Sequence, residues 1–321
     1  MKHFRALIIT LLVLAAAVAG IAAWWLYQSG HQVSEQKHQP VPMQSAPKAK
    51  KKVTAKKSVK LVALGDSLTE GVGDQRKQGG YVGQIKRQLT TKQHLQVTAT
   101  NYGKAGDRSD QIQKRLTNSL LMQKKVQQAD AIVMTVGGND LMQGLQNASI
   151  KGNTSPVAMD KSVQATQAIF AGKLTQLLNQ VRQLNPDAPI FLFSVYNPVY
   201  VYFANVEQLS AYVLQFVQTT QQTVQQVDRL YFMDINDQLS YGQYTTPAKR
   251  AALAAKDAQA NKAGELNGAA VEKALVGGTS GELNDYLSPV DHFHPNNRGY
   301  SVMTNVLYKT MMKHDQWLPK K

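Results

Sequence analysis

The sequence contains no cysteine among its 321 residues. That excludes disulfides, a thiolate nucleophile, cysteine-ligated zinc and a lipid-modified cysteine anchor. The seven histidines lack ligand spacing such as H-E-x-x-H, so no metal site is expected. Acidic residues are scarce: 21 Asp and Glu face 36 Lys and Arg, a formal net charge of +15 at pH 7. No aromatic-plus-basic motif accompanies that charge, and nucleic acid is not expected as a partner. There is also no internal repeat.

The excess charge is uneven. Residues 1–58 carry nine Lys and Arg against Glu35 alone, so over half of the excess lies ahead of the main body. In that segment Lys2, His3 and Arg5 precede 22 almost wholly apolar positions, Ala6 to Tyr27. As a helix these would extend about 33 Å, enough to cross a membrane core. Trp24, Trp25 and Tyr27 cluster at the far end, where aromatic belts form. Residues 1–29 are therefore expected to be a cytoplasmic stub and transmembrane anchor, with the body extracytoplasmic by the positive-inside rule. Ala17-Val18-Ala19 offers an alternative, a cleaved signal peptide, but the apolar run continues well past it. Residues 30–58, rich in Gln, Lys and Pro, read as a disordered basic linker. Its lysines can reach anionic wall polymers or lipid headgroups, or serve only as a solvated tether.

Residues 59–314 read as one domain, with 315–321 as a tail. Five apolar runs predict buried strands: Val59–Leu64, Val97–Tyr102, Ala131–Val136, Pro189–Val195 and Leu230–Ile235. Helices are expected between them. One spans about Tyr81–Leu89, and another runs through about Val126 from a capping box at Asp110 and Gln113. Two long apolar stripes follow, Val163 to Leu184 and Val206 to Val227, and a last helix covers about Arg298–Lys313. The Gly-, Asn- and Ser-rich stretch after Asp140 reads as a loop, and 237–280 as a helical excursion of undefined shape. This alternation predicts a mostly parallel sheet covered on both faces.

Polar groups gather at predicted strand ends. Ser67 follows the first strand by a tight turn, where open α/β sheets place ligands and helix-start N–H groups favour negative charge. Asp66 or Ser67 could instead be a simple N-cap. Gly106 and Asn139 follow the second and third strands, and Asp291 and His294 precede the last helix. Acyl transfer needs a hydroxyl, a base, a group that fixes the base and donors for an oxyanion. Ser67 can supply the first, His294 the second and Asp291 the third. The Ser67 and Gly106 backbone N–H groups and the Asn139 amide can supply the donors. Asp66 and Asp140 read as turn-stabilising residues. His292 also neighbours Asp291, and Gly103 lies close to Gly106, so both compete for these assignments. Tyr196, Tyr200, Tyr202 and Phe203 can line an acyl or sugar pocket or simply pack in the core.

Gly65-Asp66-Ser67-Leu68, Asn101-Tyr102-Gly103-Lys104-Ala105-Gly106, Gly137-Gly138-Asn139-Asp140 and Asp291-x-x-His294-Pro295 together resemble the four ordered blocks of the SGNH/GDSL esterase/lipase family. The resemblance spans about residues 59–313. It implies a flavodoxin-like three-layer α/β/α sandwich, ester hydrolysis through a serine acyl-enzyme, and no cofactor. The D-x-x-H-P context favours His294 over His292 as the base. With its leading apolar segment, the chain is also similar to membrane-anchored lysophospholipase-like hydrolases of Gram-positive bacteria. The expected substrate is a lysophospholipid, a short-chain ester or an O-acetylated glycan. The rival expectation is a non-catalytic wall- or glycan-binding module that keeps the same fold.

Overall fold

The computed structural model describes residues 58–150, 156–260 and 283–319. The expected anchor and nearly all of the linker lie outside the described residues. Among the described residues, no helix is long and apolar enough to cross a membrane.

Five strands form one parallel sheet: β1 Ser58–Gly65, β2 Gln96–Gly103, β3 Ala131–Thr135, β4 Ile190–Phe193 and β5 Leu230–Met233. Their order is β2-β1-β3-β4-β5, the flavodoxin-like doubly wound arrangement. The order reverses at β1, so connections leave its two sides in opposite directions and open a crevice at its carboxyl end. In register, Gly65 lies beside Gly103 and Leu64 beside Met134. The ends of β1, β2 and β3 therefore share one edge, as the sequence pattern implied.

The strands alternate their side chains between two cores. Leu61 and Ala63 point to one face, where helices α2 (Gly80–Gln93) and α10 (Asn297–Lys313) pack. Val62 and Leu64 point to the other. That face is covered by α3 (Ser109–Asn118), α4 (Leu120–Gln127), α5 (Gly138–Ile150), α6 (Pro156–Leu184) and α7 (Glu207–Val224). Short helix α1 (Ser67–Glu70) follows β1 directly. Helices α8 (Asn236–Tyr241) and α9 (Pro247–Ala260) follow β5.

Several expectations need correction. The stretch after Asp140 is helical, because Leu141 and Leu145, one turn apart, both bury in the core. The single helix expected through Val126 is two. Ser119 breaks it, with extended backbone and a hydroxyl that accepts from Met122 N–H. Thr117, Asn118 and Ser119 all favour such local bonds over helix continuation. The capping box shifts as well: Gln111 accepts from the Arg108 N–H, while Asp110 pairs with Arg108 and Lys173. Part of 237–280 resolves into α8 and α9, and residues 261–282 lie outside the described residues. Within the stretch read as a tail, Trp317 packs edge-on against Phe191, and Leu318 joins the same core.

Candidate active site

Ser67 is the first residue of α1, and Asp66 caps that helix by accepting from Leu68 N–H at 3.0 Å. Both expected roles of this pair therefore coexist: Asp66 caps, and Ser67 is left free to present its hydroxyl. Beneath them runs a buried chain of hydroxyls. Thr135 Oγ1 donates to Asp66 Oδ1 at 2.7 Å, so Thr135 must accept from Thr69 Oγ1 at 2.7 Å. Thr69 has one proton to give, which leaves the Tyr81 phenol as donor to Thr69, also at 2.7 Å. A directed chain from Tyr81 to Asp66 thus ties α2, α1 and β3 together under the serine. Such chains polarise their members cooperatively. Burial pushes the Asp66 carboxyl above its usual range, opposed by the Thr135 and Leu68 bonds and by His294 nearby.

His294 is brought to Ser67 from 227 positions away, with Nε2 2.9 Å from Oγ. Its Nδ1 lies 2.8 Å from Asp291 Oδ2. An ionised carboxylate only accepts, so Nδ1 carries the proton and Nε2 offers its lone pair to the Ser67 hydroxyl. All three side chains are largely buried. Asp291 folds back within one turn: its Oδ1 accepts from both Phe293 and His294 N–H at 3.0 Å. That turn needs a left-handed residue, and His292 supplies it at φ 52°. The ring of His292 points elsewhere, stacked at 6.0 Å on Tyr202. Geometry thus separates the two histidines. The loop is held from outside by Tyr196, whose phenol donates to Phe293 O at 2.6 Å, and by Asn296, which caps α10 and donates to Asp285 O and Leu287 O.

The Asp291 carboxyl sits below its usual range. Burial raises it, but the His294 ring and two backbone N–H groups outweigh burial. The sign of the linkage follows. A depressed folded pKa contributes stability that is present above the ordinary value of 3.8 and is lost as pH falls through the folded value. The difference in thermal midpoint between wild type and Asp291→Asn is therefore expected to be constant near neutrality and to shrink below about pH 4. Circular dichroism melts across pH 3–7 measure it directly; a difference that grows on acidification contradicts the assignment.

At the ends of β2 and β3, Asn139 Nδ2 donates to Asp107 O at 2.9 Å, fixing the amide beside the Gly106 turn and leaving its second N–H unused by that bond. The two glycines of the block differ sharply. A Cβ on Gly103 would lie 2.0 Å from Glu70 N, so Gly103 serves the close packing of β2 on α1. Gly106 has φ +81° and open space around it, as a backbone donor facing solvent or substrate requires. Asp140 binds the Ser109 N–H and hydroxyl at 2.9 and 2.6 Å, anchoring the start of α3. Tyr200, Tyr202 and Phe203 lie in two small apolar clusters after β4, against α7 and α9. Among the described residues, no three His, Asp or Glu side chains assemble as a metal site.

Sequence reasoning missed Arg115. Its guanidinium pairs with buried Asp107 and donates to Tyr102 O and Gly65 O, at 3.1 Å each, closing the ends of β1 and β2. A signal existed: with Ile112 and Leu116 it falls on the apolar face of α3, and a charge there demands a partner. Gly73, which reads in the sequence only as loop punctuation, also bears on the site. It has φ +86°, and a Cβ there would lie 2.5 Å from Pro295 O and 3.0 Å from His294 Cβ. Gly73→Ala is expected to push the His294 loop away from Ser67 and lower kcat/KM by roughly tenfold or more. Steady-state hydrolysis of a nitrophenyl ester reads this out, and unchanged kinetics would contradict the packing argument.

Comparison with known proteins adds family information to this geometry. A family model for GDSL-like lipases/acylhydrolases matches residues 63–302. The chain is 25% identical over 266 residues to the uncharacterized protein YpmR of Bacillus subtilis (strain 168), covering 83% of this chain and 85% of that protein. It is 28% identical over 159 residues to the spore germination lipase LipC of Bacillus licheniformis, covering 50% of this chain and 72% of that protein. Among solved structures it shares its fold with the lipase Lip_vut3 from a goat rumen metagenome. The TM-score there is 0.55 at 21% identity, covering 78% of this chain and 96% of that one.

Proposed function

The chain belongs to the GDSL-like lipase/acylhydrolase family and is a carboxylic ester hydrolase, and from that premise we propose that it works as a serine esterase through Ser67, His294 and Asp291. The observation that carries this reading is the continuous bond path from Asp291 through His294 to the Ser67 hydroxyl. His294 Nε2 takes the hydroxyl proton as Oγ attacks the ester carbonyl carbon. Asp291 holds the ring and stabilises the imidazolium that forms. The carbonyl oxygen becomes an oxyanion, received by the Ser67 and Gly106 N–H groups and the Asn139 amide. Collapse breaks the C–O bond, and the His294 proton leaves with the alcohol. Water then attacks the acyl-enzyme, giving its proton to His294, and releases the acid as Ser67 is restored.

The site is read as acting at the cell surface, tethered by the apolar segment Ala6–Tyr27 and the basic linker. Its substrate class is a lysophospholipid, a short-chain acyl ester or an O-acetyl group on a glycan. A nitrophenyl ester chain-length series, run beside lysophosphatidylcholine and acetylated xylan, distinguishes these. Hydrolysis limited to two-carbon acyl groups selects the acetyl reading, and turnover of the lysophospholipid selects the lipid reading. External protease on intact cells is expected to release the body; full protection would overturn the extracytoplasmic placement.

A further inference from the structure

Neither helix α2 nor helix α10 carries an acidic side chain. Helix α2 carries Lys86, Arg87 and Lys92, and α10 carries Arg298, Lys309 and Lys313. On the opposite side of the sheet α3 and α6 mix their charges, α7 carries Glu207 alone and α4 carries only Lys124 and Lys125.

The two helices meet along a seam stitched by carboxamides. Gln84 donates to Asn297 O, Gln88 to Asn305 Oδ1 and Gln93 to the Tyr308 hydroxyl. Two adjoining cavities open along it, of about 310 and 220 Å³, and Arg76 and Ser301 line both. Tyr286 and Arg298 border the first, and Gln84, Arg87 and the carboxylate of Asp74 the second. Two buried acceptors at this seam, Gln88 Oε1 and Asn297 Oδ1, have no internal partner. A ligand hydroxyl that donates to either would satisfy a buried acceptor, which is favourable. The nearby acids are already engaged: Asp74 accepts from the N–H groups of Arg76, Gln78 and Gly80, and Asp285 pairs with Arg298.

We propose that this seam is a binding groove for an acidic polysaccharide, distinct from the ester site. Arg76 and Arg87 would pair with the polymer's carboxylates, while carboxamides, Ser301 and the Tyr286 ring meet sugar hydroxyls and ring faces. A membrane surface fits less well. Interfacial helices place large apolar side chains beside their cations, and the exposed ones here lie elsewhere, at Leu120, Leu121, Val157, Ile169, Leu214, Leu283 and Val290. The groove also adjoins the catalytic loop: Arg76 belongs to the same loop as Gly73, which packs on His294, and α10 begins just after Pro295. A polymer held there keeps the esterase on its matrix. This inference makes no assumption about which ester is cleaved.

The test uses the full chain, so that every variant keeps the same basic linker. Fluorescein-labelled oligogalacturonate is titrated at physiological salt, read by anisotropy, against wild type, Ser301→Glu and the double variant Arg76→Gln/Arg87→Gln. Both variants are expected to bind at least about tenfold more weakly, the loss of one or two charge-assisted contacts. Hydrolysis of nitrophenyl acetate and the thermal midpoint should stay at wild-type values. Unchanged affinity in both variants would overturn the groove and leave the linker as the binding element. Equal competition by inorganic polyphosphate, which has no hydroxyls, or by phosphatidylglycerol vesicles would also overturn it. If Ser301→Glu fails to fold, the double variant alone decides.

Discussion

Ser67→Ala is expected to reduce kcat for nitrophenyl acetate by roughly 10⁴- to 10⁶-fold, about 5–8 kcal/mol of lost barrier lowering, with the fold intact. The size follows from the interdependence of the three groups. Without the hydroxyl, His294 has no proton to accept and Asp291 no imidazolium to stabilise, so the whole relay falls silent at once. The serine side chain is small, so little packing is lost with its hydroxyl. Residual turnover should come from the oxyanion donors acting on bound ester and water. Asn139→Ala in the same background should then remove a further fraction, because its amide acts independently of the hydroxyl. Turnover equal to wild type in Ser67→Ala would refute the proposed role of Ser67 as nucleophile. Circular dichroism on the same preparation separates lost chemistry from lost structure.

Arg115→Met is expected to cost about 3 kcal/mol of stability, lowering the thermal midpoint by roughly 6–12 °C. The arginine is only about a quarter exposed and its partner Asp107 is 7% exposed. Removing one member leaves a carboxylate in a place built for an ion pair. Two strand-end carbonyls, Tyr102 O and Gly65 O, lose their donors in the same step. A second consequence follows through the backbone. Asp107 O accepts the Asn139 amide, so movement of Asp107 would misaim the amide proposed to receive the oxyanion. The variant should therefore lower kcat more than it raises KM, at temperatures where it remains folded. The single variant Asp107→Asn, which keeps an acceptor for Arg115, should retain much of the stability. A purely structural role would leave kcat untouched below the melting transition. An unchanged midpoint would contradict the assigned pair.

Much of this protein could be read along the chain. Apolar runs announced all five strands, because buried parallel strands are continuous β-forming segments. The helical stripes of α6, α7 and α10 were equally plain, since their faces are long and periodic. Helix boundaries were less so. The stretch after Asp140 looked like a loop because its Gly, Asn and Ser residues are weak helix formers, and only packing of Leu141 and Leu145 on the core overrides that. The break at Ser119 went unseen for the converse reason: a hydroxyl capping its own neighbours competes with helix only when the tertiary path allows a turn there. At the site, the four blocks named Ser67, Gly106, Asn139, Asp291 and His294 by residue type and spacing. They did not reveal the hydroxyl chain from Tyr81 to Asp66, whose members belong to three different elements.

The sequence by itself determined the chemistry available: a serine at a strand end, a histidine with an aspartate one turn before it, and the alternation that makes a doubly wound sheet. Those features are local, encoded within a few residues of one another, so they survive reading without coordinates. Only the tertiary structure decided that Ser67 and His294 meet across 227 positions, that His292 turns away, that Gly106 rather than Gly103 faces the open edge, and that Arg115 has its carboxylate. Each of these depends on which strands become neighbours and on which side chains interlock. That choice is made by packing between distant segments and leaves no mark on their order in the chain.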